Sequence, residues 1–240
     1  MSLTQGRGGG RGDTLSHRVY EQVRDAILRG RLRPGQRLRV ASLCSEYQVS
    51  LNVVREALSR LTGEGLVRST PQVGFTVFEP SREDLADLAD LRIEIEGLAL
   101  RWSIERGDVA WESRVVAAHH QLLRQTPAGV SDEESVRPSE TWMSAHAEFH
   151  RALLGGTGSK RLTGMTRALS DGTQIYRRWY LGRRIDAERD LAAEHAQLAE
   201  LAVSRHKDEA VSALASHIIE TRDHLLAHES TTTAHRSTGE

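Results

Sequence analysis

Residues 36–78 read QRLRVASLCSEYQVSLNVVREALSRLTGEGLVRSTPQVGFTVF, and this pattern decides the fold of the amino-terminal third. Val40–Tyr47 reads as a short amphipathic helix with Leu43 and Tyr47 on one face. Gln48, Val49 and Ser50 make a tight turn, and Ser50 suits the N-cap of the next helix. Val54, Leu58 and Leu61 at core spacing predict that helix over 53–64, with Gly63 and Gly65 punctuating its end. Residues 66–68 and 75–78 alternate like strands around the turn Pro71-Gln72-Val73-Gly74. Helix, three-residue turn, helix and hairpin is the order of a winged helix-turn-helix, whose second helix enters the DNA major groove.

The run S-x-x-x-V-R-E-A-L-x-x-L-x-x-E-G-L-V (Ser50 to Val67), followed by P-x-x-G (Pro71 to Gly74), resembles the GntR family of bacterial transcription regulators. Upstream, a helix over 15–32 and the turn Gly30-Arg31-Leu32-Arg33-Pro34-Gly35-Gln36-Arg37-Leu38 fit the same pattern, so the resemblance covers about residues 14–79. It implies DNA contacts from Ser50, Asn52 and Arg55 on the recognition helix and from Gln72 and Gly74 in the wing. Arg55 suits bidentate contact with guanine, and Asn52 suits adenine or a phosphate. The chain departs from the family in having Leu51, Asn52 and Val53 where Arg, Thr and Pro are usual, and Val73 where a basic residue often precedes the wing glycine. Leu51 could meet a thymine methyl, and the family's usual operator need not transfer. The competing reading of Arg55 is a helix-surface contact with neighbouring Glu56 or Ser59.

Charge agrees with a DNA module joined to something else. Residues 1–79 carry 12 arginines against 7 acidic residues, a net +5, and the remainder carries 20 basic against 26 acidic residues, a net −6. At 240 residues there is room for two domains. A single cysteine, Cys44, rules out an intrachain disulfide and fits a cytoplasmic location, as does the lack of an apolar run able to span a membrane. Residues 1–13 are rich in Gly and Arg, lack the hydrophobic stretch of a signal peptide and read as a disordered tail, as do residues 230–240.

Residues 80–229 read as a second, all-helical domain, with Pro80-Ser81 as the joint. Ser81 with Glu83 and Asp84 opens a long helix to about residue 106, with Leu85, Leu88, Leu91, Ile95, Leu98 and Trp102 at helical spacing. Further helices are expected at about 108–124, 137–154, 159–180, 186–204 and 208–228, broken at Gly107, 126–129, 155–158, Gly182 and His206. The expected fold class is therefore mainly α: a winged helix-turn-helix of three helices plus a small β-hairpin, then an all-α antiparallel bundle of six or seven helices.

Histidines carry the chemistry of this domain. His146 and His150 stand four apart, on one face of one helix, able to reach a single metal. His195 and His217 fall on the apolar faces of their own helices. Inward histidines are also ordinary hydrogen-bonded core residues, and a second pair, His224 and His228, reads as solvated. Arg92 lies on the stripe with Leu88, Ile95 and Ala99, either salt-bridged to Glu96 or free to clamp a carboxylate. Tyr176 and Arg177, with Arg178, are candidates to reach the same cavity. There is no Ser-His-Asp grouping, phosphate loop or nucleotide fingerprint.

The helical domain resembles the effector domain of the FadR-type subgroup of GntR regulators, the FCD domain. The marks are Leu91-Arg92-x-x-x-Glu96, Phe149-His150-x-x-Leu153, Glu194-His195-x-x-Leu198 and His217. In many members an Asp four residues before the first His joins three His on a divalent metal; here that position is His146. The resemblance thus implies a metal on His146, His150, His195 and His217, with the all-imidazole donor set favouring zinc or nickel over manganese or magnesium. It further implies a homodimer that reads a palindromic operator, and a small carboxylate effector bound by Arg92, Tyr176 and Arg177 near the metal. Three alternatives stay open: a purely structural metal, a sensor for the metal itself, and a metal-dependent hydrolase fused to a DNA module. Glu148, between the two histidines, is not obviously aimed at the site as a base.

Overall fold

The computed structural model describes residues 15–125, 139–180 and 189–233, with side chains omitted at 178–180 and 228–233. The expected tail 1–13, the break at 126–129, the break at Gly182, the side chains of Arg178 and His228 and residues 234–240 lie outside what is described. Contacts divide the chain into two units whose boundary falls between Glu79 and Pro80.

The first unit contains α1 (Leu15–Leu28), β1 (Arg37–Leu38), α2 (Val40–Tyr47), α3 (Leu51–Gly63), β2 (Val67–Thr70) and β3 (Gly74–Val77). Its core joins Val19, Val23 and Ile27 of α1 to Leu43 of α2, Val54, Leu58 and Leu61 of α3, and Leu66, Val67 and Val77 around the strands. Each fully buried Leu or Val contributes about 1.5–3 kcal/mol. The turn between α2 and α3 is set by Gln48, whose left-handed backbone (φ 54°) ends α2. α3 starts at Leu51, two residues ahead of the expected 53, because Ser50 is its N-cap by backbone conformation.

The hairpin expected from the sequence is one part of a three-stranded antiparallel sheet in the order β1-β3-β2. β1 pairs Arg37 with Thr76 and Leu38 with Phe75. Gly35 (φ 71°) turns the chain into this register, where its N–H donates to the Val77 carbonyl at 3.1 Å. Two residues are too few to display alternation, so only the long-range pairing makes β1 a strand.

The second unit has six helices among the described residues: α4 (Arg82–Arg106), α5 (Val109–Leu123), α6 (Glu140–Leu153), α7 (Lys160–Tyr180), α8 (Leu191–Val203) and α9 (Lys207–Thr233). Side chains of Ser81, Asp108, Ser139 and Asp190 accept from the backbone N–H three residues on, capping α4, α5, α6 and α8. α4 packs against α7 and α9, and α5 against α6 and α8. α9 runs past the expected 228 and includes residues 230–233, which the sequence reading gave to a tail.

α4 corrects the expected core stripe. Leu91 and Leu98 are 46% and 39% exposed, while Leu85, Ala89, Arg92, Glu96, Gly97, Ala99, Leu100, Ser103 and Ile104 are buried. The inward face includes small residues, where a Cβ on Gly97 would already lie 3.5 Å from Val211, and it buries the Arg92–Glu96 ion pair. Leu91 and Leu98 therefore mark the outside of this helix, while Leu85, Leu100 and Ile104 lie inside. Among the described residues no helix is long and apolar enough to cross a membrane.

The turn from α4 to α5 tests the packing. A Cβ on Gly107 would lie 2.4 Å from the Trp111 ring and 2.5 Å from the Ser103 carbonyl. Gly107→Ala is expected to cost about 1–3 kcal/mol in urea denaturation. Gly164→Ala, inside α7 with nothing within 4 Å of the new carbon, is expected to gain about 0.5–1 kcal/mol.

Candidate metal centre and nucleic-acid interface

The four histidines singled out in the sequence come together. α6 supplies His146 and His150 one turn apart, α8 supplies His195 and α9 supplies His217. All four are buried, and one ligand nitrogen from each lies within 4.8 Å of the others. Ring centroids are 4.5 Å apart for His146 and His150, 4.9 Å for His146 and His195, and 5.0 Å for His195 and His217. Trp142 stacks on His146 at 4.8 Å, and Phe149 sets its ring edge-on to His150 and His195.

Nε2 of His146, His195 and His217 and both ring nitrogens of His150 are buried, with no hydrogen-bond partner among the described residues. Each such orphan costs about 1–3 kcal/mol. Burial is the largest cause holding all four well below the ordinary histidine pKa, with His195 lowered to about 3. The Arg177 charge pushes every one of them the same way. At neutral pH the cluster is four neutral imidazoles with converging lone pairs, the donor state a divalent transition metal requires.

The surrounding charges are paired. Arg92 forks onto Glu96, Nε to Oε1 at 2.7 Å and Nη2 to Oε2 at 3.0 Å, and Nη1 donates to Thr173 Oγ1 at 3.1 Å. Of the two readings left open for Arg92, a clamp for a carboxylate and a salt bridge to Glu96, the salt bridge is the contact present. Arg177 Nη2 donates to Thr221 Oγ1 at 3.4 Å. The Tyr176 hydroxyl donates to Asp84 Oδ2 at 2.6 Å and accepts from the Ser81 N–H at 3.2 Å, which places it at the start of α4. Glu148 is exposed and pairs with Arg151 at 2.7 Å. Arg189 escaped the sequence reading, as did the role of Glu194, which entered it only as part of a motif. Glu194 Oε2 lies 2.7 Å from His217 Nδ1, and Arg189 holds the same carboxylate at 2.5 Å. No periodicity links Glu194 to a residue on another helix.

In the first unit, α3 turns Val54, Ala57, Leu58 and Leu61 inward and leaves Ser50, Leu51, Asn52 and Arg55 exposed. The Ser50 hydroxyl makes no capping bond to α3. Among the described residues Arg55 makes no ion pair, whereas Arg60 on the same helix lies 3.7 Å over the Tyr20 ring and pairs with Glu64. Burial and the Glu64 hydrogen bond push the Tyr20 hydroxyl up to about 12, so it stays a donor. Gln72 (φ 65°), Val73 and Gly74 (φ 90°) form an exposed tip between β2 and β3.

Comparison with known proteins gives two family matches, "Bacterial regulatory proteins, gntR family" over residues 15–77 and "FCD domain" over residues 87–220. The HTH-type transcriptional regulator BphR of Paraburkholderia xenovorans is 34% identical over 209 residues, 85% of this chain and 82% of that protein. The HTH-type transcriptional repressor GlaR of Escherichia coli is 32% identical over 178 residues, 74% of this chain and 79% of that protein. The fold matches a GntR transcriptional regulator from Rhodococcus sp. RHA1 at a TM-score of 0.69, with 24% identity and 88% of this chain and 97% of that one covered. It matches McbR/YncC of E. coli at 0.71, with 19% identity and 90% and 99% covered.

The depressed histidines set a pH dependence. Unfolded, each takes up its proton near pH 6.5, whereas folded it stays neutral far below that value. Below pH 6.5 the unfolded chain therefore binds more protons, and stability falls toward about pH 3 by about 1.4 kcal/mol per pH unit for each excluded proton. Metal-free protein is expected to lose denaturation free energy between about pH 7 and about pH 5, less steeply in His195→Phe. A slope unchanged by that substitution would mean that the ring titrates freely.

Proposed function

The chain belongs to the GntR family of bacterial regulatory proteins and carries an FCD domain, and from that premise we propose a homodimeric repressor whose operator affinity answers to a small organic acid bound beside a divalent metal. It is a DNA-binding transcription regulator of the GntR/FCD type. The single observation that carries the metal is the set of buried, unpartnered imidazole nitrogens of His146, His150, His195 and His217 within 4.8 Å of one another. Zinc is the first choice and nickel the second, since all four donors are borderline nitrogens. A cation held by His146, His150, His195 and His217 would supply a Lewis-acidic centre, available to a carboxylate only where its coordination expands beyond the four imidazoles.

The chain's own residues do the rest. Arg177, buried beside Thr221 and acting on all four rings, is the anion contact for the effector. Arg92 adds positive charge but already spends its fork on Glu96, so it positions α4 rather than clamping the ligand directly. Tyr176, next to Arg177 on α7, is hydrogen-bonded to the first turn of α4, the element that follows the Glu79–Pro80 boundary. A shift of α7 around a bound acid would be passed to α4 through that hydroxyl. This is allostery only if the acid binds the DNA-competent and DNA-incompetent states differently. Ser50, Asn52, Arg55 and the Gln72–Gly74 tip are the proposed DNA contacts, with Leu51 against thymine methyls. The repressor sense is taken from the name of GlaR. Glu148 is exposed and paired with Arg151, so it is not placed as the base of the hydrolase alternative.

Elemental analysis of the untagged protein is expected to find about one equivalent of zinc or nickel per chain, lost in His150→Ala. Titrating small carboxylates into an operator-shift assay with the metal-loaded protein is expected to weaken DNA binding, and Tyr176→Phe to bind the acid without that response. A metal-free wild type, or an operator affinity that no acid alters, would sink the reading. An affinity set by metal alone would favour the metal-sensor alternative.

The outer stripe of α4, with Leu91 and Leu98 seven residues apart, is the proposed contact between two copies. Leu91→Glu with Leu98→Glu is expected to convert a dimer to a monomer in light scattering and to reduce operator affinity by more than tenfold. A dimer that survives the double change would place the interface elsewhere.

A further inference from the structure

We propose that Glu194 is a positioning residue for the metal centre, holding His217 in the tautomer and ring orientation that aim Nε2 at the other three histidines. This rests on the metal reading above. Glu194 Oε2 stands 2.7 Å from His217 Nδ1, and a carboxylate can only accept there, so the ring proton sits on Nδ1. The lone pair is then on Nε2, which is buried without a partner and belongs to the converging set. Among the described residues no other carboxylate bonds to a ring of the four.

The carboxylate is itself fixed. Arg189 forks onto it, Nε to Oε1 at 3.0 Å and Nη2 to Oε2 at 2.5 Å, with its side chain only 14% exposed. The same guanidinium reaches Thr221 Oγ1 at 3.3 Å and Glu220 Oε2 at 3.4 Å on α9, the helix that carries His217. Arg189 thus pins Glu194 on α8 to the α9 segment whose ring it orients. A carboxylate on the far nitrogen also raises the electron density of the ligating one, and outer partners of this kind are worth about 10–100-fold in metal affinity. Without it the ring is free to flip and present carbon in place of Nε2.

The test is a chelator competition with zinc on the full-length protein, comparing wild type, Glu194→Gln, Glu194→Asp and Glu220→Gln. Glu194→Gln keeps an acceptor but no charge and is expected to bind zinc about 10–100-fold more weakly, with an altered visible spectrum when loaded with cobalt(II). Glu194→Asp, charged but shorter, should fall between it and wild type. Glu220→Gln removes a partner of Arg189 without touching the ring and is expected to stay within about twofold of wild type. Melting of the metal-free forms separates a loss of affinity from a loss of fold. Equal affinity in Glu194→Gln and wild type, or equal losses in Glu194→Gln and Glu220→Gln, would overturn the positioning role. A wild type that takes up no zinc would instead overturn the metal reading on which it rests.

Discussion

An imidazole buried against three others keeps its neutral form, because desolvation and the nearby guanidiniums oppose a proton on any of the rings. The helical unit is arranged about that constraint. α6 offers two rings from one face, α8 and α9 offer one each, and Trp142 and Phe149 wall them from water. Two arginines near the cluster are tied to carboxylates: Arg92 to Glu96, with Thr173 beside it, and Arg189 to Glu194 and Glu220. Such pairs are costly to bury and more costly to break, so they fix the register of the helices that carry them.

The DNA-facing unit solves a simpler problem. α3 must be apolar on one side and available on the other, and it is, with Leu58 and Leu61 inside and Asn52 and Arg55 outside. The two arginines further along divide the labour by position. Arg55, one turn into the helix, carries no described ion pair, while Arg60 near its end is spent on Tyr20 and Glu64.

Local spacing was legible in the sequence and distant pairing was not. α2 was readable to the residue because its turn, cap and apolar positions sit side by side. The family resemblance drawn from Ser50 to Gly74 agrees with the family matches. β1 was invisible, because two residues become a strand only by meeting Phe75 and Thr76. α4 misled for a physical reason: its buried face mixes Ala, Gly and an ion pair with Leu85, Leu100 and Ile104, so Leu91 and Leu98 of the expected stripe lie outside. The inward faces of His146, His150, His195 and His217 were readable from helical period, and so was Arg92 with Glu96 four positions on. The bond from Glu194 to His217 spans 23 positions and two helices, and that from Tyr176 to Ser81 spans 95, beyond any pattern in the chain.

The spread of the four histidines over three helices has a consequence for a chain with one cysteine. A cation shared by α6, α8 and α9 would close two long loops at once and so restrict the unfolded chain as a pair of disulfides would. Unlike a disulfide, that cross-link is indifferent to thiols and yields to chelators. The durability of the helical unit would then follow the free metal level of its surroundings rather than their redox state.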